Sequence, residues 1–302
     1  MIKSIRLKNA SETLFECNIG DANPSHGLIV KNIDGLNPAK ANINITDIST
    51  TDGGIYNSSR LDKRNIVITF LLAITDGCTS IENARLNSYK YFPIKKLVDF
   101  EVETDNRIAH IEGYVESNEI SIFSKNEEVK ISLVCPFPYF YSSDGTAVYS
   151  FSGLTSSFSF PFHNPVNENA LVFGVLSRIY ETDLSYLGDS RVGVTITVYA
   201  VGEVVNPSFY LVNTGQTINI DTSKFPDSHM ILGDTLIIKT MSGQKSAYLR
   251  RNNVNTNVLN SLDRYTDWML LEQGSNLFGY TADSGASNMM VTLRNEVLYE
   301  GV

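Results

Sequence analysis

Polar and apolar positions along the chain alternate in short runs, and stretches of helical period are almost absent. Val194, Ile196 and Val198 interleave with Thr195, Thr197 and Tyr199, the two-residue period of a strand with one buried face. Ala41–Ile45, Asn65–Leu72, Leu97–Glu103, Ala109–Val115, Glu128–Val134, Thr235–Lys239 and Met289–Leu293 read the same way. Met241-Ser-Gly-Gln244 between two such runs predicts a hairpin turn, because glycine accepts a positive φ at little cost. One segment departs from this pattern. Thr79-x-x-Glu82 has the spacing of a capping box, and Ile81, Ala84, Leu86, Tyr89 and Phe92 follow before Pro93 stops the run. This predicts a helix over Ser80–Phe92 that lays Ile81, Tyr89 and Phe92 on a sheet. One helix among many strands predicts a mainly β chain without βαβ winding.

A boundary is predicted at Cys135-Pro-Phe-Pro-Tyr-Phe-Tyr141, where two prolines impose extended geometry and Ser142-Ser-Asp-Gly145 supplies a turn-prone linker. Composition changes there as well, since ten of the thirteen lysines precede Phe140. The expected division is residues 1–140, strands with one helix, and residues 141–302, nearly pure β; two sandwiches of ordinary size fit it. A length of 302 residues also suggests about two domains.

Charge narrows the function. Asp and Glu number 33 against 24 Lys and Arg, and both halves are acidic, which argues against a surface that grips nucleic-acid phosphates. Charges occupy the first twenty residues where a secretory signal would place its apolar stretch, and the longest apolar run, Ile66–Ile74, is far short of the roughly 20 residues of a membrane helix. The expectation is a soluble chain made without a signal peptide and with no membrane contact. Cys17, Cys78 and Cys135 are odd in number and lack CxxC spacing, so they read as buried or idle thiols.

Candidate chemistry is sparse. GxSxG, HExxH, DxDxDG and GxGxxG motifs do not occur. Gly188-Asp-Ser-Arg-Val-Gly193 has the glycine spacing of a phosphate loop, but Val194 stands where the lysine is needed. His26, His110, His163 and His229 share no metal-binding spacing. Glu101 and Glu103, two apart on a strand, share a face read as the wet one, and Glu127 and Glu128 read as a turn. No catalytic residue, metal site or cofactor is assigned, and the chain is read as a non-enzyme. Two segments stand out. Leu262-Asp-Arg-Tyr-Thr-Asp-Trp-Met269 holds the only tryptophan; Tyr265 and Trp268 there are either a sugar or partner contact or ordinary packing aromatics. Asp47–Arg60 is a polar, glycine-containing stretch of 14 residues between strands, longer than the usual 2–5 of a hairpin loop. It is either a solvated loop or an arm that orders against another subunit.

Several phrases together resemble the distal tail proteins of long-tailed siphophages, also known simply as phage tail components. They are Gly35-Leu-Asn-Pro-Ala-Lys40, Asn57-Ser-Ser-Arg60 leading to Arg64-Asn-Ile-Val-Ile-Thr69, Tyr89-Lys-Tyr-Phe-Pro93, and Ile131-Ser-Leu-Val-Cys-Pro136 before Pro138-Tyr-Phe-Tyr141. Gly233-Asp-Thr235, the Leu262–Trp268 phrase, Gly274-Ser-Asn-Leu-Phe278 and Leu298-Tyr-Glu-Gly301 continue the likeness, so it spans nearly the whole chain.

The resemblance implies a tail-tube-like N-terminal β-sandwich or barrel with one helix, and a galectin-like C-terminal β-sandwich facing outward. It implies a structural virion protein at the distal end of the tail, made in the host bacterial cytoplasm. Such a protein forms a homohexameric ring around a channel in which DNA is only passing cargo, and an acidic wall would repel that DNA. The implied partners are the tail tube protein, the tail-associated hub protein and receptor-binding or baseplate proteins. Asp47, Asp52, Tyr56 and Arg60 are then the expected partner interface, reaching a neighbouring subunit or the stacked tube ring. The alternative is a carbohydrate-binding tail protein that contacts the host cell wall through its C-terminal sandwich.

Overall fold

The structure, a computed structural model, describes residues 1–9, 12–49, 52–121, 127–156 and 174–302. It is mainly β, and one α-helix occurs among the described residues. The chain divides into two units, Met1–Gly145 with Leu298–Val302, and Thr146–Val297. The sequence reading placed residues 141–302 together. The contact division instead puts Tyr141–Gly145 and Leu298–Val302 with the first unit, where Phe140 pairs with Tyr299 and Tyr141 with both Leu298 and His110.

The first unit is built on β1 (Ile2–Asn9), β2 (Glu12–Asn18), β3 (Leu28–Asp34), β4 (Ala41–Asp47), β5 (Gly54–Leu61), β6 (Arg64–Leu72), β7 (Leu97–Thr104), β8 (Ile108–Ser121), β9 (Glu128–Cys135) and β10 (Phe140–Ser142). Its main sheet runs β2-β1-β7-β8-β9-β6-β3, every pair antiparallel, with β10 attached to β8 and the C-terminal strand Leu298–Tyr299 attached to β10. No ladder joins β2 to β3 among the described residues, so the sheet stays open and the barrel alternative is corrected to an open sheet. The two-residue period read from sequence is what buries Ile66, Ile68 and Phe70 of β6, Val98, Phe100 and Val102 of β7, and Val129, Ile131 and Leu133 of β9.

The helix α1 spans Ile81–Tyr91. Its N-cap is Ser80, whose side chain accepts from the Asn83 amide, one residue later than the Thr79 box predicts. Tyr89 and Leu86 are exposed; Ala84 and Ser88 form the buried stripe, and Phe92 is inserted at the C-cap. Phe92 lies 5.3 Å from Phe15 and 5.6 Å from Phe70. Eleven residues are too few for a stable isolated helix, so it is held by this aromatic anchor, whose burial contributes about 2–3 kcal/mol.

The second unit holds β11 (Ala147–Ser150), β12 (Ser152–Ser156), β13 (Gly174–Arg178), β14 (Glu181–Tyr186), β15 (Val192–Gly193), β16 (Thr195–Ala200), β17 (Val205–Leu211) and β18 (Gln216–Asn219). β19 (Thr235–Lys239), β20 (Ser246–Arg251), β21 (Val254–Asn257), β22 (Leu270–Leu271), β23 (Gly274–Ser284) and β24 (Met289–Asn295) follow. A six-stranded sheet, β11-β24-β16-β19-β20-β21, and a four-stranded sheet, β14-β23-β17-β18, make a β-sandwich. Ile196, Val198, Leu236, Ile238, Leu249 and Val291 are buried from the first sheet, and Leu184, Phe209, Leu211, Ile218 and Phe278 from the second. Phe151 bridges them, 5.1 Å from Phe278, and the Tyr149 hydroxyl donates to the Ser185 carbonyl of β14.

Candidate interaction surfaces

Among the described residues β4 and β5 pair only with each other, as a two-stranded antiparallel hairpin outside the main sheet. The Asp47–Arg60 stretch is therefore not simply a loop; half of it, Gly54–Arg60, is the second strand of this hairpin, and Asp47 ends the first. Such a ribbon has little stability alone, and its root shows how it is fastened. Arg64, at the first position of β6, is 3% exposed. It donates from Nε to the Pro138 carbonyl (2.7 Å), from Nη1 to those of Gly35 (2.7 Å) and Asn37 (2.6 Å), and from Nη2 to that of Glu300 (2.6 Å). From β6, just after the hairpin, one side chain thus gathers the segment entering β4, the Pro-rich stretch before β10 and the C-terminal residues. Gly35 sits at φ +90 with Asn65 O only 2.2 Å from where a Cβ would lie, so no other residue fits there.

Directly opposite residues of a ladder share a face. Ile45 opposes Tyr56, and Asp47 opposes Gly54, so Ile43, Ile45, Asp47 and Tyr56 lie on one face. Arg60 opposes Asn42 on the other. A bulge at Asn57, whose amide donates to Thr46 Oγ1 (2.6 Å), resets the alternation between them. The structure therefore brings Asp47 and Tyr56 together, separates Arg60, which faces Asp62 at 3.5 Å, and leaves Asp52 in the turn. Ile43, Ile45, Ile55 and Tyr56 are each more than half exposed. The sequence reading has Ala41–Ile45 as an alternating strand, but its interface residues are Asp47, Asp52, Tyr56 and Arg60 and leave out Ile43, Ile45 and Ile55.

In the second unit Trp268 is half-buried, with the Lys245 ammonium 5.1 Å over its ring, so one face of the indole is occupied by a cation. Tyr265, on a turn held by its amide donating to Asp263 Oδ1, is 83% exposed. A cavity of about 460 Å³ lies beside this turn, lined by Asn206, Asn219, Asp221, Lys224, Arg264 and Asp283. Several of its polar groups already bond to the protein: Asn206 Nδ2 to Asp283 at 2.8 Å, and Lys224 Nζ to the Asn260 carbonyl at 2.6 Å.

The remaining candidate chemistry resolves into structural roles. Glu101 is 4% exposed and not on a wet face; it accepts from Arg6 (3.1 Å), Lys8 (2.5 Å) and Ser143 (2.9 Å). Glu128 is inside β9 and pairs with Lys31. His26 is enclosed, with Nε2 donating to the Glu16 carbonyl and Nδ1 accepting from the Leu28 amide, a neutral ring; burial holds its pKa below the ordinary 6.5. His110 meets Asp99 at 2.9 Å, and that bond raises its pKa. His163 lies outside the described residues. The three cysteines are free and buried, and burial pushes the Cys17 and Cys135 thiols up to about 11. Gly193 closes its glycine-spaced segment on Met241, whose Cα would lie 2.4 Å from an added Cβ; the glycine serves close packing.

An open antiparallel sheet carrying one helix and a free hairpin, followed by a β-sandwich, defines the class. No family sequence model and no curated protein sequence matches the chain. Solved structures do. The Dit protein (gp 19.1) of phage SPP1, described as a paradigm of the hub adsorption apparatus in Gram-positive infecting phages, aligns with TM-score 0.65 and 10% identity over 97% of this chain and 98% of its own. A chain of the phage P2 baseplate in its activated conformation aligns over 100% of both chains at TM-score 0.44 and 9% identity. The fold is that of a phage distal tail protein.

Proposed function

We propose that the chain is a structural, non-catalytic hub at the distal end of a phage tail. It assembles as a homohexameric ring that joins the tail tube to the host-recognition apparatus and leaves a channel for DNA. The observation that carries this reading is the fold match to the SPP1 hub protein along essentially the whole length of both chains. The free hairpin supports the self-association within it. A ribbon exposing Ile43, Ile45, Ile55 and Tyr56 gains stability when a neighbour covers it, and the same hairpin repeated around a ring gives a heterologous interface that closes. The tube, hub and receptor-binding or baseplate proteins are its partners in this reading, and the virion tail tip its location. The net charge of −9 suits a channel that DNA crosses without adhering.

Light scattering on the purified chain across concentrations tests the ring. The expected species has roughly six times the mass of the 33.5 kDa chain. A monomer at every concentration, also in the presence of the tail tube protein, would overturn the hexamer.

A further inference from the structure

The six strands of the larger second-unit sheet contain no Asp or Glu, in a chain that has 33 of them. Four cations are present. Arg251 is consumed within the unit, by Asp234 (2.8 and 2.6 Å) and Asp227. Lys239, Arg250 and Arg294 are exposed and meet no carboxylate among the described residues; the Arg250 guanidinium donates to the Asn253 amide oxygen, at 3.1 Å. The nearest acid in sequence, Glu296, lies beyond the end of β24 and accepts from Thr146.

The ladder register places these cations on one face, the one turned away from the sandwich core. One cross-strand row reads Val148, Arg294, Thr195, Lys239, Ser246. The next reads Thr292, Thr197, Ile237, Tyr248, Asn257, and the third Met290, Tyr199, Thr235, Arg250, Asn255. Cationic rows therefore flank a central row containing Ile237 and Tyr248. Tyr199 and Tyr248 remain 42% and 37% exposed. Water-facing sheet surfaces ordinarily mix charges of both signs. Glu296 borders the face at one end, in a cavity it shares with Lys239 and Arg294. Strands without acids, with tyrosines and an isoleucine between cationic rows, have the composition of a docking patch: an apolar, aromatic centre with a polar rim.

We propose that this face docks an acidic polypeptide segment of another virion protein. The inference rests on the hub reading for the partner being a virion component; its charge and its polypeptide nature come from the face itself. Six strands at about 4.8 Å spacing and about six residues long offer on the order of 500 Å², a large part of the roughly 800 Å² each partner contributes to a standard interface. A phosphate polymer would use the cations and leave the Ile237–Tyr248 row without a contact, which is why a polypeptide with apolar residues among its acids is the better complement.

The test replaces Tyr248 with the photo-crosslinking residue p-benzoylphenylalanine in the full chain during tail assembly, and identifies the crosslinked peptide by mass spectrometry. The expected product is a net-negative segment of another virion protein, lost with Lys239→Glu, Arg250→Glu and Arg294→Glu combined. Tails that contain the chain but give no crosslink, or one to a segment without acidic excess, overturn the proposal. Absence of the chain from tails overturns the hub reading instead. The docking claim is then judged by fluorescence anisotropy with a peptide of alternating Glu and Leu against polyglycerol phosphate. Peptide binding weakened about tenfold or more by the charge reversals, and by the milder Gln replacements in the same order, supports it. Equal binding by variant and wild type, or preference for the phosphate polymer, overturns it.

Discussion

The Arg64 guanidinium lies 4.7 Å from the centroid of the Phe140 ring while donating to four main-chain carbonyls. Phe140 is itself fully buried, so the cation is stacked on an apolar floor with carbonyl dipoles in place of a carboxylate. A lysine has three donors on one nitrogen and cannot reach carbonyls spread around a planar fork. Arg64→Lys should lower the unfolding free energy by about 2–3 kcal/mol through the buried acceptors it leaves unpaired. Arg60→Ala, at an exposed site, should change it by less than about 0.5 kcal/mol. Denaturant midpoints measure both, and equal midpoints for the two variants would sink this account of the hairpin root.

Glu101 is enclosed between Arg6, Lys8 and Ser143. Burial by itself would raise its pKa, but the hydrogen bonds from Lys8, Ser143 and Arg6 outweigh it and hold the carboxyl below its ordinary 4.5. A carboxylate with a depressed folded pKa contributes stability that is present above its unfolded value and is lost as pH falls through the folded one. Glu101→Gln should cost about 1–3 kcal/mol at neutral pH, with Arg6 keeping Glu16 and Glu103 as partners. The loss should shrink on acidification below pH 4.5. Urea melts of both proteins from neutral pH downward would show it, and a pH-independent difference would count against it.

The two histidines of the first unit should titrate in opposite directions. His26, neutral and enclosed, protonates below 6.5 and therefore destabilises the fold as the pH drops under that value, since the unfolded chain takes the proton more readily. His110 gains Asp99, so it titrates above 6.5 and contributes stability at lower pH that fades as pH rises through its folded value. NMR titration of the ring carbons reads both in one sample, and His26 titrating above His110 would contradict the assignment.

Strand periods and the helix after Ser80 were legible because each depends on local spacing. Residues whose role comes from distant partners were not. Glu101 reads as a surface acid until β1 brings Arg6 and Lys8 against it. Tyr89 has helical spacing but points to solvent, since the helix meets the sheet through Ala84, Ser88 and Phe92. Tyr299 gives no local sign that it closes a ladder 159 positions away, against Phe140. At the hairpin, length and polar, glycine-containing composition left a solvated loop and an ordering arm open, whereas the pairing of Ile45 with Tyr56 across a bulge makes it a ribbon.

Gly193 shows the same limit in a testable form. Its glycine spacing resembles a phosphate loop, yet the space for a side chain is filled by the Met241 backbone, with N at 2.5 Å and Cα at 2.4 Å from an added Cβ. Main chain cannot swing aside as a flexible side chain can, so Gly193→Ala should destabilise the chain by about 1–3 kcal/mol. Thermal unfolding checks it, and an unchanged melting temperature would mean that β15 shifts freely.

The hairpin face separates folding from assembly. Ile43, Ile45 and Tyr56 are all more than half exposed, so replacing them removes little that the isolated chain buries. Threonine keeps the β-branched shape that favours a strand, so Ile43→Thr, Ile45→Thr and Tyr56→Thr together should leave the ribbon paired. Each should shift the unfolding free energy by no more than about 0.5 kcal/mol. If this face seats on a neighbouring subunit, the triple variant loses that apolar contact at every interface of the ring, and light scattering should find the mass of a single chain at concentrations where wild type assembles. Arg60→Ala, on the opposite face, should assemble like wild type. The reverse result, with Arg60 essential and the triple variant assembling normally, would move the interface to the polar side of the ribbon.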